Sequence, residues 1–177
     1  GAQNCHFHKI YGPFTGAVSA SMLKNAGAKY VILGHSENRA EGDTNKLIKK
    51  KIESALSQKL NIIFCIGETL KKKIVGKTFS VLKKQIRESI DKKFFLNKII
   101  IAYEPVWSIG TGKIPKIENL KSTFKFIKDE FKKSFKTKIY PVVLYGGSVN
   151  ADNTKIFSSI SEIDGFLIGG ASQSSKK

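Results

Sequence analysis

Short apolar runs alternate with longer amphipathic stretches along almost the whole chain. The apolar runs are rich in valine and isoleucine, and the stretches between them carry lysines at helical spacing. Polar and apolar residues do not alternate inside the runs, so both faces of each strand are expected to be covered. The pattern therefore predicts an α/β fold built on a parallel sheet with right-handed crossovers.

The pattern predicts six strands and five helices in alternation. We place the strands at Ala2–Cys5, Tyr30–Gly34, Asn61–Ile66, Lys98–Tyr103, Tyr140–Tyr145 and Gly165–Ile168. We place the helices at Ser19–Ala26, Thr44–Lys59, Lys77–Lys92, Ile117–Phe135 and Asn150–Ser159. Gly27 follows the first helix as its expected C-terminal cap, and the residues after Ala171 are expected to form a frayed tail.

One domain over residues 1–177 is expected, because no linker or low-complexity tract interrupts the alternation. Six βα units fit either an open, doubly wound sheet or a barrel, since both architectures produce this order of elements. The residues at the strand ends must decide between the two.

The composition adds a strong positive charge to this picture. The chain is 41% hydrophobic and carries a net charge of +17, almost all of it from lysine because only Arg39 and Arg87 are arginines. Lysine lacks the planar fork that reads base edges, and the lysines fall on predicted helices, so a nucleic-acid module is disfavoured. We interpret them as a solvated helical exterior, whose field would also attract a small phosphorylated substrate.

The cysteines and the hydropathy bear on location. Cys5 and Cys65 lie inside or just after apolar, strand-like runs, where a small reduced thiol packs well. The sequence holds no apolar run long enough to span a membrane and no signal-peptide pattern. We therefore expect a cytoplasmic protein without disulfides and without a membrane partner.

Two acid–base residues follow predicted strands. Glu104 ends the run IIIAYE, where burial would raise its proton affinity and suit it to act as a base toward a carbon acid. A carboxylate that merely pairs with a lysine is the alternative. The segment that follows, PVWSIGTGK, combines an aromatic residue with glycines and suits a lid that excludes water from a small ligand.

His35 follows the run YVILGH, and Ser36 is expected to cap the helix after it. The positive helix end would keep the imidazole neutral, so that it can donate a hydrogen bond to a carbonyl. A structural histidine is the alternative, but His35 and Glu104 at one sheet edge suit enolisation. For Glu37 we favour a supporting role over that of a simple first-turn helix carboxylate.

Glycines follow the last two predicted strands, in YGGS from Tyr145 and in IGG from Ile168. Small residues let backbone N–H groups approach a phosphate. Two tight turns are the alternative, but glycines after the last two strands match the phosphate position typical of βα barrels.

Seven segments, read together, indicate a family. GAQN, GPFTGAVS, GHSENR, CIGE, AYEPVWSIGTGK, YGGSV and DGFLIGGAS resemble the motifs of the triosephosphate isomerases in their usual order, over essentially the whole chain. The resemblance implies a TIM-barrel fold and the interconversion of dihydroxyacetone phosphate and D-glyceraldehyde 3-phosphate through an enediolate, in glycolysis and gluconeogenesis. It implies a small triose phosphate as substrate, no metal and no organic cofactor, and a homo-oligomer, most commonly a dimer.

The resemblance also assigns roles at matching positions. It makes Glu104 the residue that shuttles the proton, His35 the group that polarises the carbonyl, and Glu37, with Ser36, the supporting residues. It places the backbone contacts to phosphate at Gly110, Ser148, Gly169 and Gly170. It places the lid at Pro105, Val106, Trp107, Ser108, Ile109, Gly110, Thr111, Gly112 and Lys113.

The chain departs from the family pattern in length. A full barrel of this type has about 250 residues and eight strands, whereas this chain matches the family from the third strand onward. We therefore expect an incomplete barrel of about six of the eight units, lacking the first two. The family carries an asparagine and a lysine in the first unit, and no position here matches either, although Lys9 and Lys113 are candidate replacements for the cation.

The missing units affect both activity and assembly. Loss of a fixed cation from such a site costs about 100-fold or more in rate, so much reduced turnover is expected. Open strand edges invite association, and the family loop that matches Lys9–Gly16 inserts into a partner beside the missing segment. We therefore expect a non-standard oligomer. The alternative to the isomerase is a catalytically inactive, self-associating barrel fragment that retains anion binding.

Overall fold

The computed structural model describes residues 1–9 and 12–173. Its sheet has five strands, β1 (Tyr30–Leu33), β2 (Asn61–Ile66), β3 (Ile99–Tyr103), β4 (Val143–Tyr145) and β5 (Gly165–Phe166). The strands lie side by side in chain order, and every neighbouring pair is parallel. The predicted parallel βα architecture is thus confirmed.

Seven α-helices connect and flank these strands in the described residues. They are α1 (Ala20–Asn25), α2 (Ser36–Ala40), α3 (Asn45–Ser57), α4 (Leu70–Ile74), α5 (Thr78–Ser89), α6 (Ile117–Phe135) and α7 (Ala151–Ser158). Short 3-10 turns lie at Leu96–Lys98, Val106–Ser108 and Gly170–Gln173. In this part of the chain, no helix combines the length and the apolar character needed to cross a membrane.

The five predicted helices are confirmed, with identical ends for Ile117–Phe135 and ends that shift by one to three residues in the other four. Gly27 follows α1 in a left-handed conformation (φ +86°), and its N–H donates to the carbonyl of Lys24, as expected of a C-terminal cap. The short helices α2 and α4 are absent from the predicted ranges, because five residues are too few to show a helical period, although a helix start near Ser36 was expected.

The predicted strand at Ala2–Cys5 is wrong. Ala2 forms only an isolated parallel bridge with Val31, in which its N–H donates to the carbonyl of Tyr30 and its own carbonyl accepts from Ile32. Beyond Ala2 the backbone turns to local partners, since the N–H of Cys5 donates to its neighbour's Oδ1. The segment Ala2–Cys5 therefore pairs with β1 at one residue only.

The predicted strands at Tyr140–Tyr145 and Gly165–Ile168 are too long. The first pairs only from Val143 because Pro141, which has no N–H to donate, interrupts its start. The second pairs over two residues. The tail expected after Ala171 lies outside the described residues from position 174 onward, as do residues 10 and 11 of the Lys9–Gly16 loop.

The core lies between the sheet and helices α3, α5 and α6. Both the sheet and the helices contribute fully buried side chains to this core, among them Leu33 and Phe64 from the strands and Ile52, Ile86 and Phe124 from the helices. Each such side chain contributes roughly 1.5–3 kcal/mol through burial. This packing fixes the strand ends, on which the chemical groups lie.

The sheet does not close into a barrel within the described residues. In residues 1–9 and 12–173, one edge is β1, covered only by the Ala2 bridge, and the other is β5, which pairs with β4 alone. The incomplete barrel is therefore as expected, but it consists of five strands and one bridging segment.

A buried ion pair holds the N-terminal segment in place. Lys51 of α3 donates to both carboxylate oxygens of Asp43 at 2.8 Å and to Oδ1 of Asn4 at 3.1 Å. The side chains of Lys51 and Asp43 are each only 8% exposed. Asn4 is therefore anchored to a helix instead of to a strand ladder.

Replacing Asp43 with alanine should lower the free energy of unfolding by about 3 kcal/mol, because it leaves the buried ammonium of Lys51 without its counter-charge. Urea denaturation measures this loss. As a control, Lys49→Ala removes a more exposed pair with Asp91 and should cost less than about 1 kcal/mol. Equal losses in the two variants would contradict the role assigned to the buried pair.

Candidate active site

Glu104 lies directly after β3, between the ends of β2 and β4. Its N–H donates to the carbonyl of Ile66, and the carbonyl of Tyr103 before it accepts from Gly146. The residue is only 4% exposed, and its Oε2 has no hydrogen-bond partner among the described residues. The strand pairing thus holds a carboxylate in a dry position with one oxygen free.

Burial raises the pKa of the Glu104 carboxyl from 4.5 to about 7. The charge of Glu37 also raises this pKa, whereas the thiol of Cys65 and the guanidinium of Arg39 lower it. Desolvation dominates, so the group changes its protonation state near neutral pH.

Glycines on the two neighbouring strand ends make room for Glu104. A Cβ on Gly146 would come within 2.7 Å of Cγ and 3.0 Å of Oε1 of the glutamate. A Cβ on Gly67 would collide with the glutamate's carbonyl oxygen. These two positions therefore require glycine because of close approach.

His35 ends the turn after β1 and faces Glu104. Its Nδ1 accepts the N–H of Glu37 at 3.3 Å, which leaves the ring hydrogen of the neutral imidazole on Nε2. Nε2 lies 3.7 Å from Oε1 of Glu104, which is too long for a hydrogen bond. The pair is close enough to contact one small molecule from two sides.

The expectation that Ser36 caps α2 is wrong. His35 is itself the N-cap residue, and Ser36 is the first residue of the helix. The Nδ1 atom of His35 takes the place of the usual side-chain oxygen as the acceptor. Histidine is not among the residues preferred at this position, so the sequence pattern does not indicate it. The positive end of α2 still lies at the imidazole.

Glu37 is displayed to solvent. Its side chain is 84% exposed, and Oε2 lies 3.7 Å from Nδ1 of His35. In the part of the chain that the structure describes, no lysine lies within ion-pair distance of it. Its supporting role stays a prediction.

A cavity of about 660 Å³ opens at the carboxyl ends of the strands and brings the predicted residues together. We call it the site cavity. Its lining includes Glu104, His35, Glu37, Gln3, Asn4, Gly110, Ser148, Gly169 and Gly170. Within the described residues, the N–H groups of the last four make no hydrogen bond, so they are available to an anion.

No lysine or arginine is among the described residues that line the site cavity. Lys9, a candidate to replace the family's cation, instead approaches Glu53 at 3.8 Å. Lys113, the other candidate, does not line the cavity either. Nor do the described residues contain a cluster of three or more histidine, cysteine and acidic side chains that could bind a metal.

The predicted lid, Pro105–Lys113, lies against the YGGS turn. Ser148 Oγ donates to the carbonyl of Ser108 at 2.5 Å and accepts the N–H of Gly112 at 3.3 Å. Gly110 and Gly112 have φ values of +66° and +69°, which favour glycine. These contacts fix the predicted lid segment beside the site cavity, which Ile109, Gly110 and Gly112 help to line.

Glu68, which sequence reasoning left without a role, holds the other side of the lid. It follows β2, is 1% exposed, and accepts hydrogen bonds from Trp107 Nε1 at 2.9 Å and from the hydroxyl of Tyr103 at 3.1 Å. Burial, followed by the charge of Glu68, raises the pKa of Tyr103 well above its usual value. The sequence pattern could have indicated Glu68 as a site residue, because it ends an apolar run just as Glu104 does.

Acid–base groups and glycine turns able to bind an anion share one edge of a parallel sheet, which is the arrangement of enzymes built on βα barrels. A family model of triosephosphate isomerase matches residues 1–177. The triosephosphate isomerases of Chloroherpeton thalassium and Carboxydothermus hydrogenoformans are 43% and 45% identical over 176 and 177 residues, which cover 97% of this chain and 69% and 70% of theirs. The chain belongs to the triosephosphate isomerase family.

The solved structure of the Bartonella henselae triosephosphate isomerase has the same fold. It superposes with a TM-score of 0.88 at 38% sequence identity, over 96% of this chain and 70% of that one. The comparisons therefore agree that the chain spans about 70% of the length of its relatives.

The raised pKa of Glu104 predicts a pH effect on stability. The unfolded glutamate ionises near pH 4.5, whereas the folded one stays protonated up to about pH 7. The stabilisation that Glu104 contributes through this difference is fully present below pH 4.5 and is lost as the pH rises through 7. The loss amounts to about 3 kcal/mol. Glu104→Gln cannot ionise and should escape it.

Urea denaturation of both proteins between pH 4 and pH 8 measures this difference, since most other titrating groups are common to the two. The wild-type free energy of unfolding should fall relative to that of the variant as pH rises. Parallel curves would show that the carboxyl is not desolvated.

Proposed function

We propose that this chain interconverts dihydroxyacetone phosphate and D-glyceraldehyde 3-phosphate. The observation that carries the proposal is the position of Glu104 and His35, whose Oε1 and Nε2 face each other at 3.7 Å across one cavity. Family membership supports the same reaction. It also supports a cytoplasmic location and a place in glycolysis and gluconeogenesis.

Glu104 removes a proton from C1 of dihydroxyacetone phosphate and returns it to C2 of the enediolate. A carboxylate with a pKa of about 7 is matched to proton transfer at neutral pH. Because Oε2 has no hydrogen-bond partner among the described residues, no hydrogen bond to it must be broken before the reaction. Meanwhile a proton passes from the C1 hydroxyl oxygen to the carbonyl oxygen, which completes the isomerisation.

His35 donates its Nε2 hydrogen to the carbonyl oxygen as negative charge develops there. The ring is kept in this tautomer because Nδ1 accepts the N–H of Glu37. A fixed donor aimed at the developing charge is typically worth a factor of about 100 or more in rate.

The substrate phosphate binds to the backbone N–H groups of Gly110, Ser148, Gly169 and Gly170. Gly110 belongs to the lid, so phosphate binding and lid closure support each other. A closed lid excludes water, which strengthens the hydrogen bonds inside and protects the enediolate.

We expect much slower turnover than in the relatives, because the described lining of the site cavity holds no lysine or arginine to stabilise the growing negative charge. The same observation favours a second candidate function, an inactive fragment that still binds anions at its glycine turns.

A coupled isomerase assay tests the proposal. The purified chain should show a kcat/KM about 100-fold or more below that of the Chloroherpeton thalassium relative. Glu104→Gln should lower this residual rate by at least about 100-fold, because it removes the base. Glu118→Gln, at an exposed position in the first turn of α6, is the matched control and should change nothing.

A residual rate that survives Glu104→Gln would reveal a contaminating isomerase and contradict the proposed base. A folded sample without turnover that binds inorganic phosphate would favour the anion-binding fragment.

We further propose that the chain self-associates through its two open sheet edges. Among the described residues, strand β5 pairs with β4 only, and Ile168 just beyond it is 43% exposed. Unpaired N–H and C=O groups beside apolar side chains favour edge-to-edge pairing. A homo-oligomer, most simply a dimer, therefore follows.

Light scattering coupled to size exclusion should give a mass above that of the 19.6 kDa monomer, rising with concentration. Ile168→Lys should shift this equilibrium toward monomer because it places a charge at the edge. Ile74→Lys, at a 75% exposed position on α4, is the control and should not. A monomer at high concentration would rule out the association.

A further inference from the structure

Lys73 contacts the lid from outside the site cavity. It lies on α4, and its Nζ is 3.1 Å from the centre of the Trp107 ring. Helix α4 is only five residues long and has no buried residue, and its apolar Leu70 and Ile74 are exposed. The contact between Lys73 and the indole is therefore a main attachment between this helix and the lid.

The indole of Trp107 is held in two ways. Its Nε1–H donates to Glu68, which fixes the ring edge, and the ammonium of Lys73 covers the ring face. A cation over an indole face is attracted by the electrons of the ring, most strongly where water is partly excluded. The two contacts together fix both the position and the tilt of the ring.

The charges of Lys73 and Glu68 also complement each other. Glu68 is a buried carboxylate, and such a charge is stable only with donors or a counter-charge nearby. Tyr103 and Trp107 supply the donors, and Lys73 supplies positive charge. Burial lowers the pKa of Lys73, whereas Glu68 acts in the opposite direction and favours its charged form.

We propose that Lys73 is a positioning residue that holds Trp107 against Glu68 and thereby stabilises the closed lid. It does not line the site cavity and acts only through the indole. Its effect on turnover rests on the proposed function, but its effect on the lid does not.

A second, smaller cavity of about 250 Å³ makes a sharp test possible. It lies behind the lid and is lined by Lys73, Trp107, Glu68 and Phe79, among others. This space accommodates the longer arginine side chain, whose guanidinium also stacks on aromatic faces. Lys73→Arg should therefore keep the contact, whereas Lys73→Met keeps an unbranched apolar side chain and loses the charge.

Trp107 is the only tryptophan of the chain, so its fluorescence reports directly on the lid. In Lys73→Met the ratio of closed to open lid should fall about 3- to 10-fold, since that is the range expected for one partly exposed cation over an indole. The emission should shift to the red, and acrylamide should quench it more readily. Lys73→Arg should resemble the wild type.

Lys72→Met is the matched control, because Lys72 is the exposed neighbour on the same helix. It should leave the emission and the quenching unchanged. The proposal is overturned if Lys73→Met matches the wild type, if Lys72→Met matches Lys73→Met, or if Lys73→Arg fails to restore the signal. Circular dichroism on each variant confirms that α4 and the sheet remain folded.

Inorganic phosphate and the isomerase assay separate this inference from the proposed function. If the lid carries Gly110 onto the phosphate, Lys73→Met should weaken phosphate binding and lower kcat/KM about 3- to 10-fold. A changed fluorescence in a chain without turnover would support the role of Lys73 and count against the isomerase. Unchanged fluorescence of Lys73→Met in an active chain would count against the role of Lys73 and support the isomerase.

Discussion

The burial of the Glu104 carboxylate is the constraint on which the rest of the site depends. Strand pairing places it between the ends of β2 and β4, where only glycine at positions 67 and 146 leaves enough room. Water is largely excluded there, and one carboxylate oxygen has no partner among the described residues. The same desolvation that costs folding free energy raises the pKa of the carboxyl to about 7, which suits the group to its proposed role as a base. A better solvated position would therefore lower the pKa of Glu104 and make it less suited to act as a base near neutral pH.

Glu68 and Glu104 are two buried glutamates on adjacent strand ends, and their different hydrogen-bond partners suit them to different roles. Glu68 accepts hydrogen bonds from Tyr103 and Trp107, so its charge is satisfied and it serves as a fixed anchor for the lid. Oε2 of Glu104 has no such donor among the described residues, which fits its proposed contact with a substrate. The difference lies in the neighbours, because both residues follow apolar strands and both are almost fully buried. Anchor and base thus lie at one sheet edge, and the lid connects them.

The sequence predicts most of the elements and the main site residues, for physical reasons that also explain the failures. Long amphipathic stretches predict α3, α5 and α6 because burial imposes their period. Glu104 and His35 are found because each follows a strongly apolar run. The strand at Ala2–Cys5 fails because the chain pairs with β1 at Ala2 alone and the N–H of Cys5 donates to Asn4, a tertiary outcome that no local pattern reports. The capping by His35 and the contacts of Trp107 depend on tertiary approach, so the sequence could not predict them.

The most direct test of this account follows hydrogen exchange at the substrate carbon, which requires the base. Dihydroxyacetone phosphate is incubated with the chain in deuterium oxide, and proton NMR follows the loss of signal at C1. We predict slow deuterium incorporation that Glu104→Gln abolishes and Glu118→Gln leaves intact. Incorporation at the same rate in the wild type and in Glu104→Gln would contradict the assignment of Glu104 as the base.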